Sequence, residues 1–147
     1  MRFWDASALV PLLASEAATE MVGQLYRADQ EIAVAWTATI ECASACVRKH
    51  RERVISDEQL TLLLERLRML SQSWNIAEPT LDLRVSAERL VARHALRAGD
   101  AIQLASAIAL ASAAGPVSEL VCFDRRLALA ATTEGLRVVP GVSQETA

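Results

Sequence analysis

Apolar positions along the chain fall into two kinds of pattern that take turns. Short, largely apolar runs at Arg2 to Trp4, Glu31 to Trp36, Trp74 to Ala77, Leu120 to Phe123 and Arg137 to Val139 have the length and makeup of strands covered on both faces. Between them lie longer stretches with helical spacing. Leu60, Leu63, Leu64 and Leu67 recur at i, i+3, i+4 and i+7, and Leu83, Ala87, Leu90 and Val91 follow a similar rhythm, so each segment has one stripe to bury. Ser56 stands where an N-cap would open the first of these helices, and Pro79 separates the run at Trp74 from the second. Strands alternating with helices predict an α/β domain with a short, mostly parallel central sheet flanked by helices.

Composition narrows the picture. A chain of 147 residues that is 52% hydrophobic and 22% charged suits one folded domain, taken as residues 1–140, followed by a short polar tail at 141–147. The longest uncharged run, from Ala101 to Ser118, contains Gln103 and breaks at Gly115-Pro116. It falls short of the roughly 20 apolar residues that span a bilayer and reads as a buried helix over 101–113. The opening Met-Arg-Phe-Trp-Asp lacks the apolar stretch of a secretory signal, so the expected setting is the cytoplasm, with no membrane partner.

The cysteines at 42, 46 and 122 are odd in number and are expected as reduced thiols. Cys42, Cys46 and His50 share one helix face at i, i+4 and i+8 and could hold Zn²⁺, but small cysteines packed beside Ala43 and Val47 are the better account. A net charge of −3 argues against a surface that is basic throughout, so any contact with nucleic-acid phosphates is local. The dense basic stretch from Arg48 to Arg53 could supply it, or could equally be a solvated helix end. Lys49 is the sole lysine, which removes Schiff-base chemistry and the phosphate-binding lysine of a P-loop.

Acids occupy the places where such a sheet binds ligands, beyond the carboxyl ends of its strands. Asp5 follows the first strand and Asp124 the fourth, while Glu41 lies about one turn into the helix after the second. Asp100 follows Gly99 at a helix start, where the dipole favours negative charge. Each Asp also has an ordinary explanation as a cap or turn residue. Glu41 is harder to explain that way, because an unpaired carboxylate in an otherwise uncharged helix start is costly. Four converging carboxylates repel one another unless a cation sits among them. An all-oxygen set selects Mg²⁺, or Mn²⁺, over Zn²⁺, and such an ion supports phosphoryl chemistry without a side-chain nucleophile. Other chemistries fit less well. A Ser/His/Asp hydrolase would need a G-x-S-x-G elbow and a well-placed histidine, and a phosphoaspartyl enzyme built on Asp5 would want an acid where Ser7 stands and a lysine nearby.

Local sequences then carry a family resemblance. Phe3-Trp4-Asp5-Ala6-Ser7-Ala8-Leu9-Val10 resembles the strand-Asp-x-Ser/Thr-Ala-Leu opening of PIN-domain toxins of the VapC type. Thr39-Ile40-Glu41-Cys42-Ala43-Ser44-Ala45, Leu96-Arg97-Ala98-Gly99-Asp100-Ala101 and Val121-Cys122-Phe123-Asp124-Arg125-Arg126-Leu127 resemble the family's other acidic segments, in family order over nearly the whole chain. The resemblance implies a PIN-like three-layer fold and an Mg²⁺-dependent endoribonuclease whose catalytic acids are Asp5, Glu41, Asp100 and Asp124. Asp5 and Asp100 would be the principal metal ligands, and Ser7 would orient a carboxylate or a water. Gln103 stands where many relatives carry His, which bears on substrate positioning; His94 is expected as a packed or surface residue. Implied partners are an RNA substrate, a VapB-type antitoxin and a second copy of the chain. The alternative is a PIN-fold module that binds RNA or an antitoxin and no longer cuts, which the presence of all four acids disfavours. Single-stranded DNA or flap substrates stay open, because metal-assisted hydrolysis does not itself distinguish sugars.

Overall fold

The computed structural model describes residues 1–112 and 117–141. Every expected strand is present, most of them trimmed: β1 (Arg2–Trp4), β2 (Ile32–Ala35), β3 (Asn75–Ala77), β4 (Glu119–Val121) and β5 (Val138–Val139). They form one sheet in the order β3-β2-β1-β4-β5, and each of its pairings is parallel. The helices are α1 (Ala6–Leu13), α2 (Thr19–Ala28), α3 (Ala38–Arg51), α4 (Asp57–Ser71), α5 (Leu81–His94), α6 (Ala98–Ser112) and α7 (Arg125–Thr133). The expected tail lies outside the described residues from 142 onward, as do Ala113 and the Gly115-Pro116 break.

Side chains along a strand point alternately to opposite faces, and here both faces are dry. Trp4, Ile32, Val34 and Val121 pack into a layer built from α1 to α4, together with Leu9, Val22, Cys42, Leu67 and Trp74. Phe3, Ala33, Ala35 and Leu120 pack the other way, against Leu83 and Leu90 of α5, Leu104 of α6 and Leu127 of α7. The molecule is therefore a three-layer α/β sandwich, as the consecutive apolar residues of its strands require. The second layer is rich in alanine, with Ala87, Ala101, Ala105, Ala107, Ala128 and Ala131 all buried. A side chain of one methyl lets a helix lie close on a sheet, and α6 does contact β2 and β3.

Helix starts follow local chemistry. Ser56 caps α4 in a reciprocal box: its hydroxyl accepts from Gln59 N at 3.2 Å while Gln59 Oε1 accepts from Ser56 N at 2.8 Å. Thr80, just after Pro79, caps α5 by accepting from Leu83 N at 3.1 Å. The helix expected to start at Ala101 begins at Ala98, because the Arg97 carbonyl already accepts from Ala101 N at 3.0 Å. Among the described residues, no helix is long and apolar enough to cross a membrane.

Candidate active site

Asp5, Glu41, Asp100 and Asp124 line one cleft of about 770 Å³ beyond the carboxyl ends of the strands. Asp5 and Glu41 belong to the α1–α4 side, Asp100 and Asp124 to the α6–α7 side, so the cleft opens where the two helical layers meet the sheet edge.

Asp5 links β1 to α1. Its backbone N–H donates to the Val121 carbonyl of β4 at 3.0 Å, and its Oδ2 caps α1 by accepting from Ser7 N at 3.0 Å. The side chain is 4% exposed. Burial raises its pKa above the usual carboxylate range; hydrogen bonds from Ser7 and Ala6 oppose the rise, and the charge of Asp124 adds to it. Cys122 lies below, with Sγ 3.8 Å from Asp5 Oδ2. Burial, followed by the charge of Asp5, pushes this thiol up to about 12, so it keeps its proton and donates. The Ser7 hydroxyl accepts from Phe123 N at 3.0 Å, tying α1 to the link that carries Asp124. Ser7 thus fixes the position of one acid through its backbone and braces the support of another through its hydroxyl.

Glu41 is in the first turn of α3. Its Oε1 accepts from Thr37 Oγ1 at 2.8 Å and from Gln103 Nε2 at 2.8 Å, which offsets part of the cost of an acid in this apolar helix start. Even so its pKa is raised, first by burial and then by the charges of Asp5 and Asp100. Gln103 is fully buried, and its Oε1 has no hydrogen-bond partner among the described residues. From α6 it bridges the two layers by holding Glu41.

Asp100 lies in the first turn of α6. Burial raises its pKa, the charges of Asp124 and Asp5 raise it further, and Arg97 and Arg126 pull against them. Asp124 is exposed and caps α7, with Oδ1 accepting from Leu127 N at 2.9 Å. The ordinary explanation of Asp5 as an N-cap therefore holds; Asp124, read as a turn residue, is also an N-cap, and Asp100, read as a capping residue, lies inside the first turn of its helix. Each cap uses one carboxylate oxygen, leaving the other for the cleft.

Clustered like charges and oxygen donors fit a hard divalent cation. Among the described residues, no three His, Cys, Asp or Glu side chains stand close enough to bracket an ion directly. A cation that keeps several waters, as Mg²⁺ does, suits so open a set. Arg48 and Lys49 line the same cleft, although Lys49 Nζ is also paired with Glu16 Oε1 at 2.6 Å. The other candidates resolve as packing. Cys42 and Cys46 are fully buried, while His50 turns to Asp57 at 2.5 Å, so the three residues do not form a zinc set. His94 packs between α5 and α7, 2.6 Å from Glu134 Oε1. Sequence reasoning missed Thr37, which was visible as a hydroxyl four residues before Glu41, and the contact of Cys122 with Asp5, for which nothing in the sequence was a signal.

No curated protein sequence matches the chain. Solved structures that resemble it in fold include two from different organisms. A toxin–antitoxin complex from Klebsiella pneumoniae superposes with a TM-score of 0.60 at 20% identity, over 83% of this chain and 85% of that one. The protein PAE2754 from Pyrobaculum aerophilum superposes with a TM-score of 0.65, also at 20% identity, over 94% of this chain and 88% of that one. The family model for the PIN domain matches residues 2–132. That span takes in the whole parallel sheet except β5, and all four acids of the cleft: the chain belongs to the PIN-domain family.

Proposed function

We propose that this chain is an Mg²⁺-dependent endoribonuclease of the VapC type, acting as the toxin of a toxin–antitoxin pair. The observation that carries the reading is the convergence of four carboxylates from four separate elements on one cleft, three of them held above their usual pKa range by burial and by neighbouring acids. A protein keeps so unfavourable a cluster where a function needs it.

Asp5 and Asp100 would hold the metal, with Glu41 and Asp124 completing the site directly or through waters. The bound ion supplies water activation and charge stabilisation at the scissile phosphate. Ser7 and Cys122 fix the orientation of Asp5. Thr37 and Gln103 fix one oxygen of Glu41 and leave its Oε2 to hold a water or accept a proton. Arg48, exposed at the rim of the cleft, offers a guanidinium to a flanking phosphate. Mn²⁺ can replace Mg²⁺ in such an oxygen set.

The antitoxin complex among the fold relatives supports an antitoxin as a protein partner for this chain, and the VapC-type reading makes that partner a VapB-type antitoxin. Exposed apolar side chains such as Leu62 and Met69 on α4 or Val85 on α5 leave surface for that partner and for a second copy in a homodimer. Three unpaired, buried cysteines agree with a cytoplasmic setting. A module that keeps the fold and binds RNA or antitoxin without cutting is the second reading, and the gathering of all four acids in one cleft disfavours it. Cleavage of total RNA by the purified chain in Mg²⁺ and in EDTA, beside Asp5→Asn and Asp100→Asn, decides between them. Metal-dependent cleavage lost in both variants supports the nuclease. Well-folded protein that binds RNA or antitoxin yet cuts nothing with any divalent ion supports the binding module.

A further inference from the structure

Trp36 occupies the turn between β2 and α3 and is 41% exposed. It directly precedes Thr37, whose hydroxyl holds Glu41. Beside it an apolar groove of about 560 Å³ runs between α5 and α6, walled by Leu81, Ala87, Val91, Ala98 and Ile102. That volume is in the range of small-ligand sites. The groove and the acidic cleft share the first turn of α6: Ala98, Ala101 and Ile102 face the groove, while Asp100 lines the cleft. The two depressions are thus about one helix diameter apart, ~10 Å, a gap that a few nucleotides of backbone cross.

From this we propose that Trp36 is the stacking platform for an unpaired base of the substrate, close to the nucleotide whose phosphate enters the cleft. The inference rests on the nuclease function and specifies its substrate as single-stranded at that position. An indole face accepts any base by stacking, and the apolar groove walls ask for a flat, uncharged group. Arg84 and Glu88 at the groove pair with each other at 3.7 Å, so no isolated acid repels an incoming polyanion there. Arg97 and Arg126 lie close enough to act on the charge of Asp100, and Arg48 lines the cleft. A strand with its base in the groove and its phosphates toward Asp100 therefore meets guanidinium groups near the acids.

The contact has its own spectroscopic reporter. Trp4 is 0% and Trp74 8% exposed, so an added base that quenches tryptophan emission by stacking does so at Trp36. The test titrates the protein, with Ca²⁺ in place of Mg²⁺, with a short single-stranded RNA and with the same RNA annealed to its complement; cleavage in Mg²⁺ is measured alongside. The single strand is expected to quench and the duplex is not. Trp36→Ala is expected to weaken single-strand binding about 5- to 100-fold and to act on KM more than on kcat. Trp36→Phe is expected to recover part of the affinity without the quenching. RNA cleaved by a wild-type protein that shows no quenching would overturn the platform and leave the nuclease standing, and so would an unchanged KM in Trp36→Ala. A change of oligomeric state in Trp36→Ala with unchanged RNA affinity would overturn it in favour of a protein interface. A wild-type protein that neither binds nor cuts RNA would overturn both. Wild-type quenching reads the contact directly, so the outcome stands even if Trp36→Ala folds poorly.

Discussion

Helix α6 passes through two regions with opposite physics. At Leu104 and Ala105 it is buried among side chains of its own kind, and every neighbour gains from the packing. One turn earlier, at Asp100, it enters a cleft where burial and like charges work against the acids present. The core holds the fold together, and the cleft strains against it. Substitutions in the two regions should therefore change stability with opposite signs, although they lie on one helix. Such a division is expected where activity depends on groups the fold would be more stable without.

The largest effect belongs to the cleft. Asp5→Asn and Asp100→Asn should each reduce Mg²⁺-dependent RNA cleavage on the order of 100-fold or more, while raising the Tm of the metal-free protein. Asn keeps the shape and, at position 5, can still cap α1, so the loss would be one of charge. Gel assays of cleavage beside thermal melts in EDTA check both halves. A fall in Tm would mean that the carboxylates support the fold, and the comparison would collapse. The core gives the opposite sign: Leu104→Ala should destabilise by about 2–5 kcal/mol through lost contacts and a residual cavity, measured by denaturant unfolding. A cost well under 1 kcal/mol would show that the alanine-rich layer closes over the gap.

The two regions were also legible in the sequence to different degrees. Core elements announce themselves through periodicity, which is why β1 was found from Arg2 to Trp4 and Ser56 as a cap, in agreement with the structure. Periodicity cannot say where an apolar run stops being a strand. Glu31 to Trp36 overshoots β2 at both ends, and Trp36, counted as strand, is a half-exposed turn residue. The strand-end positions of Asp5 and Asp124 were visible for the same reason as the strands, with Asp124 three residues beyond β4 and not directly after it. Their meeting with Asp100 and Glu41 was not visible in any local pattern. It depends on the strand order and on how closely α6 lies on the sheet; placement beyond the strand ends suggested it, and the resemblance of the motifs carried it the rest of the way. Contacts such as Cys122 with Asp5, 117 residues apart, leave no local trace at all.

Metal sharpens the contrast at smaller scale. If the cleft holds Mg²⁺, the ion stabilises the folded state by mass action, about 1.4 kcal/mol at ten times its Kd and ~2.7 kcal/mol at a hundred times. The Tm of the wild-type chain should therefore rise with Mg²⁺, and that of Asp5→Asn or Asp100→Asn should barely move. Leu104→Ala, weakened elsewhere, should keep the full increment, because its cleft is intact. Equal increments in all four proteins would place the bound ion somewhere other than this cleft.

The smallest effect is in the pH dependence, and its sign follows from the carboxylates. Asp5, Glu41 and Asp100 have folded-state pKa values above their ordinary 3.8, 4.5 and 3.8. The folded chain then binds protons more tightly than the unfolded chain, so stability present below the ordinary carboxylate range is lost as pH rises through the raised values. Asp29 works the other way, since its hydrogen bond to the N-terminal ammonium lowers its pKa, and its contribution is lost as pH falls. The raw stability curve mixes these terms. The difference between wild type and Asp5→Asn isolates one of them, because Asp29 is common to both. In EDTA the advantage of Asp5→Asn should be slight near pH 4 and should grow toward neutrality, as the wild-type Asp5 is forced to ionise in its buried position. Urea unfolding at several pH values reads that difference. A flat line would mean that Asp5 titrates alike in folded and unfolded chains, and the opposite slope would mean that hydrogen bonds from Ser7 and Cys122 outweigh burial. Protons and Mg²⁺ would relieve the same repulsion, so the Mg²⁺ increment in Tm should shrink over the same interval as pH falls.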